Sequence, residues 1–324
     1  MKSRFAQGVF LVFVTVVLWG VQFPVAKDAF AAVDAFHVTA IRYGLGALVL
    51  IVLLVWLEGP AALSYYGRAW PASLFGFVGM CCSPMLIFFG IALSTPEHAA
   101  IIVALQPSMT ALADWAIRGR RPRRFTLACL ALAFAGVVTV VTRGDPVHVF
   151  VKGEIAGDIV VILGAMCWVA YTMAAENFKG WSALRFTTLT IIPGTLGCIV
   201  VTAVLVAAGM AVVPGIAALV AAGVAAVPGV AALASVAWHL AYLTLGGIVV
   251  SMLCWNAGNQ RIGALNTMLL LNLMPVVTFA VRFAQGARPD AVELLGAALV
   301  ISSLVANNLY LRRKPARKTS EATI

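Results

Sequence analysis

Charged residues are scarce in this sequence, and their scarcity excludes an ordinary soluble fold. Asp, Glu, Lys and Arg make up 10% of the 324 residues, whereas hydrophobic residues make up 62% and the mean hydropathy is +1.01. In soluble domains about a quarter of the residues are charged. Apolar runs long enough to cross a bilayer, which takes about 20 residues, follow one another along the chain. The composition therefore predicts an integral membrane protein in contact with the lipid bilayer.

The sequence also lacks the motifs of the common enzymes and of ATP-driven pumps. It contains no P-loop, nucleophile elbow, H-E-x-x-H sequence or cysteine metal motif. Its six cysteines lie inside apolar runs without a C-x-x-C pair, which favours core packing over a disulfide framework or a metal site (Cys81, Cys82, Cys129, Cys167, Cys198 and Cys254). We therefore expect no enzymatic activity, no cofactor and no metal.

The apolar runs predict an all-α protein, because backbone groups in lipid must bond within their own segment and the period-2 alternation of a barrel is absent. We expect ten transmembrane helices at about 8–26, 35–57, 70–93, 98–117, 125–142, 157–177, 185–209, 238–258, 264–283 and 290–311. Residues 210–237 are apolar and uncharged, with two Pro-Gly pairs. They favour an interfacial or re-entrant loop on the outer side, with an eleventh span as the alternative.

The net charge of +10 comes from short basic clusters between the spans, which indicate topology and contact with anionic lipid rather than nucleic-acid binding. With the N-terminus inside, 16 of the 22 Lys and Arg residues fall on the cytoplasmic side and 5 on the other, and Arg42 falls within a span. The positive-inside rule then predicts a bacterial inner-membrane protein with both termini in the cytoplasm.

The second half of the sequence repeats the first. A shift of 149 residues overlays Trp19 on Trp168, and a shift of 168 overlays Pro107 on Pro275. Each half holds five predicted spans, an odd number, so the second half must be inserted upside down. The expected architecture is two inverted five-helix repeats, with a substrate site near mid-membrane between them and alternating access. The predicted units are residues 1–145 and 153–312, followed by a basic cytoplasmic tail at 313–324.

These features resemble the drug/metabolite transporter superfamily, and specifically its ten-helix EamA type. The resemblance is carried by the W-G-x-x-F-P-x-x-K sequence of Trp19 to Lys27, the Arg that opens span two, the Pro in spans four and nine, and Gly296-Ala-Ala-Leu299. The chain departs from the family at Arg120 and Ala287, where a Glu usually stands. The resemblance implies an exporter of amino acids or related metabolites.

The central layer of the predicted spans is nearly neutral, which suits a zwitterionic or apolar metabolite. The candidate substrate contacts are aromatic and amide side chains, with helix packing or lipid exposure as the alternative: Trp19, Gln22, Phe77, Gln106, Trp168, Tyr171 and Asn272. Proline frees backbone carbonyls and distorts helices, so the candidate hinges are Pro24, Pro84, Pro107 and Pro275.

Few ionisable residues fall within the predicted spans. Glu97 and His98 open span four and could exchange a proton, although a helix N-terminal cap is the alternative. Asp114 is expected to pair with Arg118. Arg42 aligns with Arg185 across the repeat at a shift of 143 residues, which favours a structural role at helix ends. Arg42 could also attract a carboxylate at the outer mouth.

Together these features predict an inner-membrane secondary transporter that exports amino acids or related small molecules and is a monomer, with a dimer as the alternative. A passive channel and a membrane-embedded enzyme are the competing interpretations. An enzyme would require a cluster of polar catalytic groups at one depth, and the sequence offers none.

Overall fold

A computed structural model of the chain describes residues 2–119, 121–142, 154–178, 180–209 and 230–313. Every regular element within these ranges is a helix. Eight helical segments are long and apolar enough to cross a membrane: Arg4–Ala29, Ala35–Glu58, Ala69–Leu93, Pro96–Ile117, Ile155–Ala174, Ala183–Ala207, Ala237–Ile262 and Asn266–Ala284. Two shorter apolar helices, Arg124–Val140 and Ala291–Asn307, lie at the predicted fifth and tenth spans.

The described residues of the first half form seven α-helices: α1 (Lys2–Ala29), α2 (Ala35–Glu58), α3 (Ala69–Phe77), α4 (Ser83–Leu93), α5 (Pro96–Val103), α6 (Gln106–Arg118) and α7 (Arg124–Thr142). Those of the second half form eight: α8 (Glu154–Ala174), α9 (Ala183–Ala207), α10 (Val230–Ser235), α11 (Ala237–Thr244), α12 (Ser251–Ile262), α13 (Ala264–Leu270), α14 (Met274–Ala284) and α15 (Ala291–Arg313). Most of the predicted outer loop at 210–237 and nearly all of the basic tail lie outside the described residues.

A π-helical segment interrupts one span in each half, at positions about 168 residues apart. Val78–Cys82 joins α3 to α4, and Leu245–Val250 joins α11 to α12. Pro84 follows the first segment, but Met252 stands at the matching place after the second, so proline alone does not account for both. Each segment contains a glycine at which a Cβ would meet a neighbouring side chain. At Gly247 that Cβ would lie 2.8 Å from Gln22 Oε1.

The predicted fourth and ninth spans are each broken in the middle. Helix α5 ends at Val103 and α6 begins at Gln106, and the turn Leu271–Leu273 separates α13 from α14. Pro107 and Pro275 are the second residues of the helices that follow the breaks, where a missing N–H is tolerated. Pro24, by contrast, lies inside α1, which continues to Ala29.

The first helix of each half packs against a helix of the other half. Helix α1 packs along α12 and α8 along α4, while α2 packs on α9 and α7 on α15. Glycines make the first two contacts close. A Cβ on Gly157 would lie 2.7 Å from the Gly90 carbonyl oxygen, and one on Gly258 would lie 3.0 Å from that of Gly8. Small residues let backbones approach where apolar burial does not drive helix association.

Polar contacts tie helix ends from both halves together at each end of the bundle. At one end, the Lys27 ammonium donates to the Ser94 carbonyl (2.7 Å), and the Ser94 hydroxyl donates to Asp158 (2.6 Å). At the other end, Arg68 donates to the Asn177 carbonyl (3.1 Å). The start of α8 therefore lies beside the end of α1.

Candidate functional site

A cavity lies between the two halves. The first half contributes most of its wall, from α1, α2, α4 and the break between α5 and α6: Trp19, Gln22, Phe23, Arg42, Tyr43, Ser83, Pro84, Ile87, Phe88, Val103 and Gln106. The second half contributes Trp168, Gly247, Met252 and Met274. The two π-helical segments and the breaks in the predicted fourth and ninth spans therefore all have residues at or beside them that border this cavity.

Four of the seven predicted contact residues line this cavity: Trp19, Gln22, Gln106 and Trp168. The two tryptophans, 149 positions apart in the sequence, meet edge to face with ring centroids 5.4 Å apart. Trp255 packs against both, at 5.0 Å from Trp19 and 6.2 Å from Trp168. One side of the cavity is thus an aromatic cluster to which both halves contribute.

The other three predicted residues do not border the cavity. Tyr171 is fully buried behind Trp168, with ring centroids 5.1 Å apart, and its hydroxyl lies 3.2 Å from that of Thr190. Asn272 is buried in the turn before α14. Phe77 is 40% exposed at the end of α3, where an apolar side chain suits lipid. These three residues are not among the residues that line this cavity, and their contact with substrate stays a prediction.

The position of Arg42 differs from the one inferred from sequence. Asp34 caps α2 and Ser182 caps α9, so matching the caps aligns Arg42 with Thr190 rather than with Arg185. Arg185 lies in the first turn of its helix, whereas Arg42 lies two turns into α2 and is 3% exposed. The proposed helix-end role therefore does not apply to Arg42, which belongs to the cavity wall.

Among the described residues, the neighbours of the Arg42 guanidinium are neutral. Its Nη1 donates to Gln22 Oε1 at 3.1 Å, and its Cζ lies 3.8 Å from the ring centroid of Phe88 and 5.0 Å from that of Tyr43. Within the described part of the chain no carboxylate forms an ion pair with it. The cavity wall therefore carries one positive charge that these residues do not neutralise.

Three residues of the wall have buried polar atoms without hydrogen-bond partners among the described residues: Arg42 Nε, Trp168 Nε1 and Gln106 Oε1. The amide nitrogen of Gln106 donates to the Ala165 carbonyl (3.4 Å), which leaves its oxygen unpaired. Trp19 differs, because its indole nitrogen donates to the Gly247 carbonyl (3.1 Å) and the Ser251 hydroxyl (2.9 Å). Buried polar atoms usually have partners, so these atoms are candidates for binding a polar solute.

The predicted Glu97–His98 pair is separated in the structure. Glu97 accepts a hydrogen bond from Arg282 on α14 at 2.8 Å. His98 is fully buried, and its Nδ1 lies 3.1 Å from Asp158 Oδ2 on α8. Asp158 had no assigned role in the sequence, although a carboxylate within a predicted span was a signal that could have identified it.

Two other expectations concern ionisable residues of the predicted fourth span, and the structure describes only the first of them. The residue that caps the N-terminus of α5 is Thr95, whose hydroxyl accepts a hydrogen bond from the backbone N–H of His98 (3.2 Å). The expected Asp114–Arg118 ion pair depends on the Arg118 side chain, which lies outside the described residues. Among the residues that the structure describes, no three His, Cys, Asp or Glu side chains cluster as metal ligands would.

Comparisons with known proteins identify relatives over nearly the whole chain. The model of the EamA-like transporter family matches residues 6–142 and 155–309. The uncharacterized transporter YrdR of Bacillus subtilis (strain 168) is 31% identical, over 97% of this chain and 94% of its own. A second uncharacterized transporter of that organism, YyaM, is 27% identical over 90% of each. Among the solved structures that share the fold, one has a TM-score of 0.66 at 19% identity over 96% of this chain and 99% of its own.

Proposed function

Because the chain belongs to the EamA-like transporter family, we propose that this multi-pass membrane protein is a secondary transporter whose substrate binds in the cavity between its halves. The observation that carries the proposal is the position of that cavity. Its wall includes residues from both halves and adjoins the four described helix interruptions. Transporters commonly bind substrate between repeats, beside broken helices.

The proposed substrates are amino acids or related small metabolites, exported across the bacterial inner membrane. The aromatic wall formed by Trp19 and Trp168 suits an apolar side chain. The unpaired oxygen of Gln106 suits an ammonium group, and the unpaired donors of Arg42 and Trp168 suit a carboxylate.

The proposed mechanism is alternating access by two inverted repeats of five spans. The exchanged packing of α1 on α12 and of α8 on α4 supports it, because a twofold relation between the halves converts one contact into the other. The glycine contacts support it too: shifts of 149 and 168 residues convert the pair Gly8 and Gly258 into Gly157 and Gly90. Rocking at these contacts would open the cavity to each side in turn.

If transport exchanges substrate for protons, the pair His98 and Asp158 is the better candidate for carrying the proton. It is buried and bridges α5 and α8, one helix from each half. Glu97 is then assigned to holding the end of α14 through Arg282. A proton that enters or leaves a buried pair between the halves could bias their relative position.

Counterflow in sealed proteoliposomes tests the proposal. Vesicles preloaded with one unlabelled amino acid from a panel should accumulate its labelled form transiently, and the initial rate should saturate with concentration. Such accumulation indicates a carrier that exchanges bound substrate, whereas unsaturable equilibration without overshoot would indicate a channel. The absence of flux for every panel member would contradict the proposed substrate class.

A further inference from the structure

We propose that Arg42 is the carboxylate receptor of the cavity, so that a carboxylate on the substrate is required for binding and an amine is not. The inference deepens the proposed transport function and rests on it. It starts from the guanidinium in the cavity wall, which is 3% exposed and has a neutral amide and two aromatic rings as its neighbours.

The charge of Arg42 makes a purely structural role costly. An ionised group within a membrane span is expensive unless it is paired, and such residues usually serve function. A guanidinium has five N–H donors, whereas the described residues accept one hydrogen bond from Arg42, that of Gln22. The aromatic faces of Phe88 and Tyr43 compensate in part through cation–π attraction. A bound anion would supply the missing counter-charge.

The rest of the cavity wall indicates which anion fits. Among the residues that the structure describes, no acidic side chain lines the cavity, so the described wall contains no charged partner for a substrate cation. The planar fork of a guanidinium matches a carboxylate, and the unpaired indole nitrogen of Trp168 is a further donor on the wall. A monocarboxylate would bring the charge of the loaded cavity to zero, whereas a primary amine would add a second positive charge. Organic acids and amino acids should therefore bind, and amines should not.

Thermal unfolding of the purified, detergent-solubilised protein measures this preference. The probes are the neutral amino acids, each with its deaminated acid and its amide, for example leucine, 4-methylpentanoate and leucinamide. The amino acid and the deaminated acid of at least one set should raise the unfolding temperature. The corresponding amide should bind about 10- to 100-fold more weakly, the range expected when hydrogen bonds to a charged group are lost.

Three variants locate the effect. Arg42→Gln should abolish the discrimination between acid and amide, and Arg42→Lys should retain part of it because it keeps the charge. Arg185→Gln is the matched control, since Arg185 contacts the Ser64 carbonyl and the rings of Tyr66 and Trp181 away from the cavity. It should bind the probes as the wild type does.

Two outcomes would overturn the inference: amides that stabilise the wild type as well as the acids do, or no stabilisation by any acid of the panel. The wild-type comparison stands even if Arg42→Gln fails to fold. Counterflow separates this result from the transport proposal. If acids bind but are not transported, the transport proposal is contradicted and the assignment of Arg42 as carboxylate receptor stands. If substrates are transported equally well with and without a carboxylate, only the assignment of Arg42 is contradicted.

Discussion

Replacing Trp168 should cost stability as well as affinity, whereas replacing Gln106 should cost affinity alone. Both side chains line the cavity, so both are candidates for substrate contact. They differ in how much of the surrounding structure depends on them. Comparing Trp168→Ala with Gln106→Met therefore separates binding from packing within one wall, and Trp168→Phe provides an intermediate variant that keeps an aromatic ring.

The expected loss for Trp168→Ala follows from its neighbours. The indole is 6% exposed and packs against Trp19, Tyr171 and Trp255 at centroid distances of 5.4, 5.1 and 6.2 Å. Truncating a buried Trp to Ala typically costs about 3–5 kcal/mol, and each aromatic pair is worth about 0.5–1.5 kcal/mol beyond its buried area. We expect the free energy of unfolding to fall by about 3–5 kcal/mol, and by less in Trp168→Phe.

Gln106 contributes far less to the folded state. Its side chain donates one long hydrogen bond to Ala165 (3.4 Å), and its oxygen has no partner. Methionine has a similar shape, so Gln106→Met should change the free energy of unfolding by less than about 1 kcal/mol. Losing one hydrogen bond to the substrate should weaken apparent affinity by about tenfold, because 1.4 kcal/mol corresponds to a factor of ten.

The assay combines reversible unfolding in mixed micelles, followed by tryptophan fluorescence, with substrate titration in proteoliposomes. A Trp168→Ala protein as stable as the wild type would refute the packing argument. Unchanged affinity in Gln106→Met would mean that the substrate does not bind beside this amide, and the site would have to be sought elsewhere.

The remaining predictions concern helix packing, coupling and topology. Gly157→Ala should lower the free energy of unfolding by about 1–3 kcal/mol, because the added Cβ overpacks the contact with α4. A Cβ at Gly44 would have no atom within 4 Å, so Gly44→Ala should raise the free energy of unfolding by about 0.5–1 kcal/mol. Equal effects of the two substitutions would contradict the close helix contact. His98→Gln and Asp158→Asn should both flatten the pH dependence of initial transport rates, and an unchanged pH profile in both would rule out proton transfer at this pair. A reporter fused after Ser320 should read as cytoplasmic, and a periplasmic signal would refute the ten-span topology.

The membrane character and the family could be predicted from the sequence because both depend on local signals. Apolar runs identify spans regardless of what packs around them. The spacing of Trp19 to Trp168 and of Pro107 to Pro275 predicts a repeat, and the family model matches residues 6–142 and 155–309. Gln106 was identified as a cavity candidate because an amide in an apolar span is conspicuous.

Only the tertiary structure decided which side chains face one another. In a membrane protein the lipid-facing and the core-facing positions are both apolar, so periodicity gives little information on the face of a helix. Phe77 therefore looked like a wall residue but is 40% exposed, and Arg42 looked like a helix-end residue but lines the cavity. The partner of His98 is Asp158, 60 residues away, because the pairing of α8 with α4 and α5 is a property of how whole helices pack and is not encoded in any local stretch of sequence.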